Sequence, residues 1–277
     1  MGRVYVGEEV DGSARVAIKV LETEVDDAER DLLNALFDVE IEALRRMDHP
    51  HGVRLLGFGD GPRFLVMPFV DGSRLGDVLL SGPLPWSRVS RIARQLTDVL
   101  AHAHSRGIVH RDVKPSNVLL GVGDHITLLD FGVARIEGRE DPTGRADPER
   151  VFGSPHSVAP EQVTRQSTDA RTDIYGLGIL MFRLLTGTWP FSGSGRRATL
   201  DAHLDGDVPS FQSAAPAVQV EDGVESLVRR CLSRSPAARF PDAPALRAAI
   251  DAIDRPPVPW LLVVSLALVV VWALVSW

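Results

Sequence analysis

Lys19 and Lys114 are the only lysines among 30 basic residues; every other basic side chain is arginine. A bias toward arginine that spares two positions has two readings. One is chance survival. The other is that both sites need a compact, rotatable ammonium that a planar guanidinium cannot replace. Lys114 lies in the run His110-Arg111-Asp112-Val113-Lys114-Pro115-Ser116-Asn117, which gathers a carboxylate, an ammonium, a hydroxyl and an amide in one short polar stretch. A further carboxylate, Asp130, follows downstream. Such a set suits chemistry in which negative charge is held and a proton is moved.

The elements that must position these groups are readable from period and punctuation. Arg15–Leu21 is β-rich and reads as a strand. Thr23 with Asp26 resembles a capping box opening a helix that runs to about Met47. Along it Leu33, Phe37, Glu40, Leu44 and Met47 recur at steps of four and three and share one face. Glu40 is thus a carboxylate within an apolar stripe. Either it sits at the wet margin of that stripe, or it is buried and needs a cation. The one lysine before Asp112 is Lys19, on the preceding strand.

Residues 63–70 read as another strand, leading to a turn at Asp71-Gly72. Residues 86–105 form an amphipathic helix closed by Gly107. Short apolar strands at 108–109, 118–120 and 126–129 flank the polar loops. Residues 173–185 are apolar nearly all round and predict a buried central helix, followed by helices at 224–232 and 243–253. Strands first and helices later predict an α+β fold with a cleft between the two parts.

A net charge of −7 argues against a nucleic-acid partner. Cys231 is the sole cysteine, so no intrachain disulfide can form and a reducing cytoplasm fits. From Pro259 to Trp277 no residue is charged, and the 18 residues Trp260–Trp277 would span about 27 Å as a helix, enough to cross a bilayer core. Trp260 and Trp277 would sit in the interfacial belts. A buried core helix is the other reading of this run. Arg239, Arg247 and Arg255 precede it and favour an N-terminus-inside orientation, with the chain expected to end at the far face. Residues 254–259 read as a Pro-rich linker. No secretory signal or myristoylation pattern opens the chain.

The run His110–Asn117 resembles the catalytic loop of the eukaryotic-like (Hanks-type) Ser/Thr protein kinases. The resemblance extends to Val16-Ala17-Ile18-Lys19, Asp130-Phe131-Gly132 and Ala159-Pro160-Glu161, in the family's order and spacing, and covers Met1 to about Ile253. The arginine-heavy, Ala/Val/Gly-rich composition is similar to that of bacterial members. The resemblance implies a bilobal fold, with an N-lobe to about residue 70 and a C-lobe over 71–253. It implies ATP and Mg²⁺ (or Mn²⁺) as cofactors and Ser/Thr-bearing proteins as substrates. If the 260–277 run spans, the chain is expected to be a single-pass protein of the cell membrane with its kinase domain cytoplasmic, and a homodimer is a further expectation.

By the same resemblance, Lys19 holds the α/β-phosphates and pairs with Glu40. Asp112 receives or orients the substrate hydroxyl proton, and Lys114 steadies the γ-phosphate. Asn117 and Asp130 hold the metal. Val4, Ala17 and Leu119 sandwich the adenine, Met67 is the gatekeeper, and Pro68 and Val70 offer a backbone carbonyl and N–H to the base edge. Arg111 awaits a phosphate on the activation segment. Thr143 is the expected modified residue there, its alternative being an ordinary solvated loop residue. Ser154 stands where relatives contact the catalytic loop through Thr. Asp173 is expected to orient that loop, and Glu161 to pair with Arg239.

The opening Met1-Gly2-Arg3-Val4-Tyr5 resembles the end of a Gly-rich loop whose first strand and first two glycines are absent. Either the start lies upstream, which is the expectation because a boundary inside the loop leaves an unpaired sheet edge, or the protein is naturally clipped. A cut loop also raises a second reading, a membrane-anchored pseudokinase scaffold. A third, a kinase of small molecules, fits Lys114 and Ala159–Glu161 less well. The intact set Lys19, Glu40, Asp112, Lys114, Asn117 and Asp130 favours an active protein kinase.

Overall fold

The computed structural model describes residues 2–10, 12, 14–22, 25–145 and 152–255. Thr23, Met1, the linker from residue 256 and the 260–277 run lie outside the described residues. No described helix is long and apolar enough to cross a membrane.

An antiparallel four-stranded sheet forms the small lobe: β1 (Gly2–Glu8), β2 (Arg15–Leu21), β3 (Gly57–Asp60) and β4 (Arg63–Pro68), in the order β1-β2-β4-β3. Its register sets Val4 opposite Lys19, Lys19 opposite Leu65, and Ala17 opposite Met67. Successive strand residues alternate faces, so this register puts Val4, Ala17, Lys19 and Met67 on one surface. β4 ends at Pro68, two residues short of the expected strand, where the chain turns into β5 (Ser73–Arg74) and the short helix α2 (Leu75–Val78).

Helix α1 runs over Asp27–Arg46. Its N-cap is Asp26, whose side chain accepts the Glu29 N–H at 2.8 Å. The i, i+3 acidic pattern expected from residue 23 is therefore met one step later. The apolar stripe is buried as its period predicts, Glu40 included at 3% exposure.

The large lobe is helical. α3 (Trp86–His104) and α9 (Ala243–Asp254) are tied by Arg94 to Asp251 and Asp254, at 2.6 and 2.5 Å, and by Arg247 to Asp98 at 2.7 Å. Asp254 is the last residue of α9, not the first of a linker, because it also accepts the Trp86 indole N–H at 2.6 Å. α5 (Ala170–Thr186) is capped by Asp169 and closed by Gly187 in the left-handed region. It starts three residues before the expected helix, and Ile174, Tyr175, Leu177, Ile179, Leu180, Phe182 and Leu184 bury it on every side. α4 (Pro160–Val163), α6 (Arg196–Asp205), α7 (Phe211–Ala214) and α8 (Val224–Cys231) complete the lobe.

Short strands carry the polar loops between the lobes: β6 (Ile108–Val109), β7 (Val118–Leu120), β8 (Ile126–Leu128) and β9 (Arg135–Ile136). The chain after α1 docks on β8: Val53 N–H donates to Leu128 O, and Leu128 N–H to His51 O. This seam fixes α1, and Glu40 with it, against the large lobe.

Candidate active site

Glu40 meets its cation. Lys19 Nζ lies 2.6 and 2.8 Å from the two Glu40 oxygens and 3.0 Å from Asp130 Oδ1. Burial works against the Lys19 ammonium, but Glu40 and then Asp130 outweigh it and hold its pKa far above the usual lysine range. Burial also works against the Asp130 carboxylate, yet the neighbouring ammonium and the Gly132 N–H bring its pKa below the usual value. A strand of the small lobe, a helix and a loop of the large lobe thus converge on one ion network.

Asp130 has φ of +60° and Arg111 φ of +65°. Left-handed backbone at a non-glycine costs free energy and persists where surrounding contacts impose it. At Arg111 those contacts are visible. Asp173, buried on α5, accepts the main-chain N–H groups of His110 and Arg111 at 2.9 and 2.7 Å, and also contacts His104 Nε2 at 2.7 Å. Burial would raise the Asp173 carboxyl; the His104 hydrogen bond and the facing His110 reverse this and lower it. His110 is itself anchored through Nε2 to Leu129 O at 2.9 Å.

With the loop so held, Asp112 Oδ2 takes Lys114 Nζ at 2.6 Å and Asn117 Nδ2 at 2.9 Å. Asn117 also donates to Asp112 O at 3.0 Å. Asp112 Oδ1 faces the main-chain N–H of Ser154 at 3.4 Å. The activation segment thus reaches Asp112 through backbone at Ser154. Because the Asn117 amide nitrogen is turned to Asp112, its oxygen is left for a cation together with the Asp130 carboxylate. Carboxylate and amide oxygens are the hard donors that Mg²⁺ takes, so the donor set fits.

Beside this network a cleft of about 500 Å³ opens between the lobes. Val4, Ala17 and Leu119 line it, as do Met67, Pro68 and Val70 where β4 leaves the sheet. Lys19, Glu40, Asn117 and Asp130 close its inner end. Val53 and Leu129 also line it; neither falls in a motif, and no sequence signal singled them out. Volume and mixed lining match a nucleotide-sized ligand.

Glu161 and Arg239 form a fully buried bidentate pair at 2.7 and 2.8 Å. Thr172 Oγ1 adds a third bond to Glu161, at 2.8 Å.

Arg111 has a partner that the sequence did not disclose. Its guanidinium lies 2.6 Å from Asp141 Oδ2 and also contacts Thr168 Oγ1. The other Asp141 oxygen accepts the Thr143 N–H and hydroxyl at 3.0 and 2.7 Å. Partial burial opposes the Asp141 charge, but Arg111 and Thr143 outweigh it and lower its pKa. The expected phosphate-binding arginine is therefore bound to a carboxylate two residues before Thr143.

A protein kinase domain profile matches residues 1–248. The chain is 37% identical over 263 residues to the serine/threonine-protein kinase pkn2 of Myxococcus xanthus, covering 92% of this chain and 31% of that one. It is 35% identical to PknL of Mycobacterium tuberculosis (90% and 62% covered) and 33% identical to PrkC of Bacillus subtilis (90% and 38% covered). The chain thus spans less than two thirds of the length of each of these relatives.

Proposed function

The chain belongs to the protein kinase domain family, and from that premise we propose that it transfers the γ-phosphoryl group of ATP to Ser/Thr hydroxyls of proteins, its own activation segment included. The observation that carries this reading is the convergence of Lys19, Glu40 and Asp130 beside the Asp112–Lys114–Asn117 cluster, at the inner end of one cleft. A scaffold that only bound partners would have no use for this set of charges. The relatives named as serine/threonine-protein kinases favour the same reading.

Each residue has a part in the proposed reaction. Val4, Ala17, Leu119 and Met67 receive the adenine, and Pro68 and Val70 its polar edge. Lys19, held by Glu40, attracts the α/β-phosphates. Mg²⁺, or Mn²⁺, at Asp130 and Asn117 would neutralise charge on the phosphate oxygens. Asp112 Oδ1 is the carboxylate oxygen not taken by Lys114 or Asn117, so it is the one to receive the hydroxyl hydrogen. Lys114 stands beside it for the transferred phosphoryl group. The substrate oxygen bonds to the γ-phosphorus, the bond to ADP breaks, and the hydroxyl proton leaves by way of Asp112.

Thr143 is the proposed site of self-phosphorylation, presented to a second copy in a transient homodimer. We also propose that residues 260–277 cross the cell membrane and leave the kinase domain in the cytoplasm, where ATP is found. The support is the uncharged 18-residue run and its terminal tryptophans. The charge argument for orientation narrows in the folded protein. Arg239 is buried against Glu161 and Arg247 is paired with Asp98, which leaves Arg255 as the flanking cation.

The test is label transfer from γ-labelled ATP with Mg²⁺ by the full chain. Asp112→Asn is expected to lower kcat about 10²–10⁴-fold while nucleotide binding persists. Equal transfer by both proteins would refute the assignment.

A further inference from the structure

A second groove, of about 260 Å³, shares Ser116 with the nucleotide cleft. The catalytic-loop residues Lys114 to Ser116, Ser154 of the activation segment, Gly76 and Leu79 wall it, with Arg183 and Trp189 from the end of α5 and beyond. Lys114 and Ser154 both touch Asp112, so a chain lying in this groove passes directly beside the proposed reacting hydroxyl.

The charges lining the groove itself are of one sign. Among the described residues that line the groove, Lys114 and Arg183 carry charge and none is a carboxylate. Arg183 stacks on Trp189, 5.0 Å from the ring centre, and donates to Gly187 O. It forms no ion pair among the described residues, and partial burial lowers its pKa with no carboxylate to oppose the effect. Other arginines of this lobe differ: Arg171 at the start of the same helix, Arg94 on α3, Arg247 on α9 and Arg239 before α9 are each paired with an acid. Arg74, exposed at the mouth of the nucleotide cleft, donates to Ser116 O at 2.8 Å and likewise has no carboxylate partner among the described residues. One acid, the exposed Asp77, faces the nucleotide side of this path. A half-buried guanidinium without a counter-ion is expected to find one in a ligand.

We propose that this groove selects substrate segments bearing Asp or Glu beside the phosphorylated Ser or Thr, with Arg183 and Arg74 as the specificity-determining residues. The inference rests on the kinase reading and names its substrate class. An apolar side chain of the same segment packs on Leu79 and Trp189. The chain's own activation segment has this character, because Glu140 and Asp141 stand three and two residues before Thr143. A second copy presenting that segment would bring acids to Arg74 and Arg183 as Thr143 reaches Asp112.

The experiment gives the full chain, with Mg²⁺ and labelled ATP, peptides carrying one Thr flanked by Asp, Ala or Arg at each nearby position. A peptide of residues 137–145 is included. Binding of the same peptides with Val in place of Thr is followed in parallel by fluorescence anisotropy. Acid-flanked peptides are expected to exceed arginine-flanked ones by about tenfold in kcat/KM, with the preference shrinking at high salt. Arg183→Glu and Arg74→Glu should each bring the ratio toward one, and together reverse it. Arg183→Gln, with its melting temperature checked, serves if the charge reversal fails to fold. Equal use of acidic and basic peptides, or a ratio unmoved in these variants, overturns the proposal. Acid-selective binding without any transfer would keep the groove and refute the kinase reading; transfer without selectivity would do the opposite.

Discussion

In the 110–117 loop the two oxygens of Asp112 differ by what already occupies them. Oδ2 carries Lys114 and Asn117, while Oδ1 has, among the described residues, a single backbone N–H at 3.4 Å. That asymmetry follows from two neighbours close in sequence, and it orients the carboxylate before substrate arrives. Arg111 presents the same question of occupancy, answered from a distance. Its cation is held by Asp141, which also holds the Thr143 hydroxyl, so an anion fills the arginine's site without phosphate. Asp141→Asn in the unphosphorylated chain is expected to lower kcat/KM several-fold, with phosphate on Thr143 restoring it. Kinetics on protein of mass-defined phosphorylation state checks this; an unchanged rate would show that the pair does not order the loop.

Elements carry these residues because of how closely they pack. α5 crosses α8 at Gly178, where an added Cβ would lie 2.6 Å from Cys231 Cβ. The helix accepts the glycine's lower propensity in exchange for that approach. Gly178→Ala should therefore destabilise the chain by about 1–3 kcal/mol, although alanine favours helix, as read from the urea midpoint. α4 is joined to the segment before α9 by the Glu161–Arg239 pair, both groups almost wholly inaccessible. Arg239 keeps the carbonyls of Ser233, Arg171 and Arg234. Glu161→Gln leaves the guanidinium buried with those dipoles alone and is expected to cost about 3–5 kcal/mol in the same measurement. A loss under 1 kcal/mol would mean the carbonyls suffice.

Across the whole molecule, the lobes are joined by the Lys19–Glu40–Asp130 network at the cleft and by the 51–53 seam on β8. Stability of this assembly should fall in mild acid. His203 on α6 is fully buried; Tyr175 Oη lies 2.7 Å from its Nδ1, and its Nε2 donates to Pro155 O at 2.9 Å. Burial lowers its pKa to about 4. The unfolded imidazole takes up a proton near pH 6.5 and the folded one only near 4. Stability is therefore lost as pH falls through that window, by about 3 kcal/mol at most for this residue. His49, His51 and His102, lowered by burial first and by neighbouring cations second in His102, act with the same sign. His203→Gln should flatten the pH dependence of the urea midpoint between pH 6.5 and 4. An unaltered slope would exclude His203 as its source.

The chain by itself determined whatever is periodic or local. A 3.6-residue period put Glu40 among apolar residues, the family resemblance named Lys19 as its partner, and the compact 110–117 run gathered the polar groups proposed to act in the reaction. Element ends were legible only to within a few residues, because Thr23 and Asp26 each stand three before an acid and the sequence cannot rank two such caps. Contacts between segments distant in sequence were decided by tertiary structure alone. Asp141 meets Arg111 across 30 positions, and Arg183 reaches the same groove as Lys114 across 69. Neither has a period or motif to announce it, because a charge's partner depends on which surfaces the packed lobes bring together.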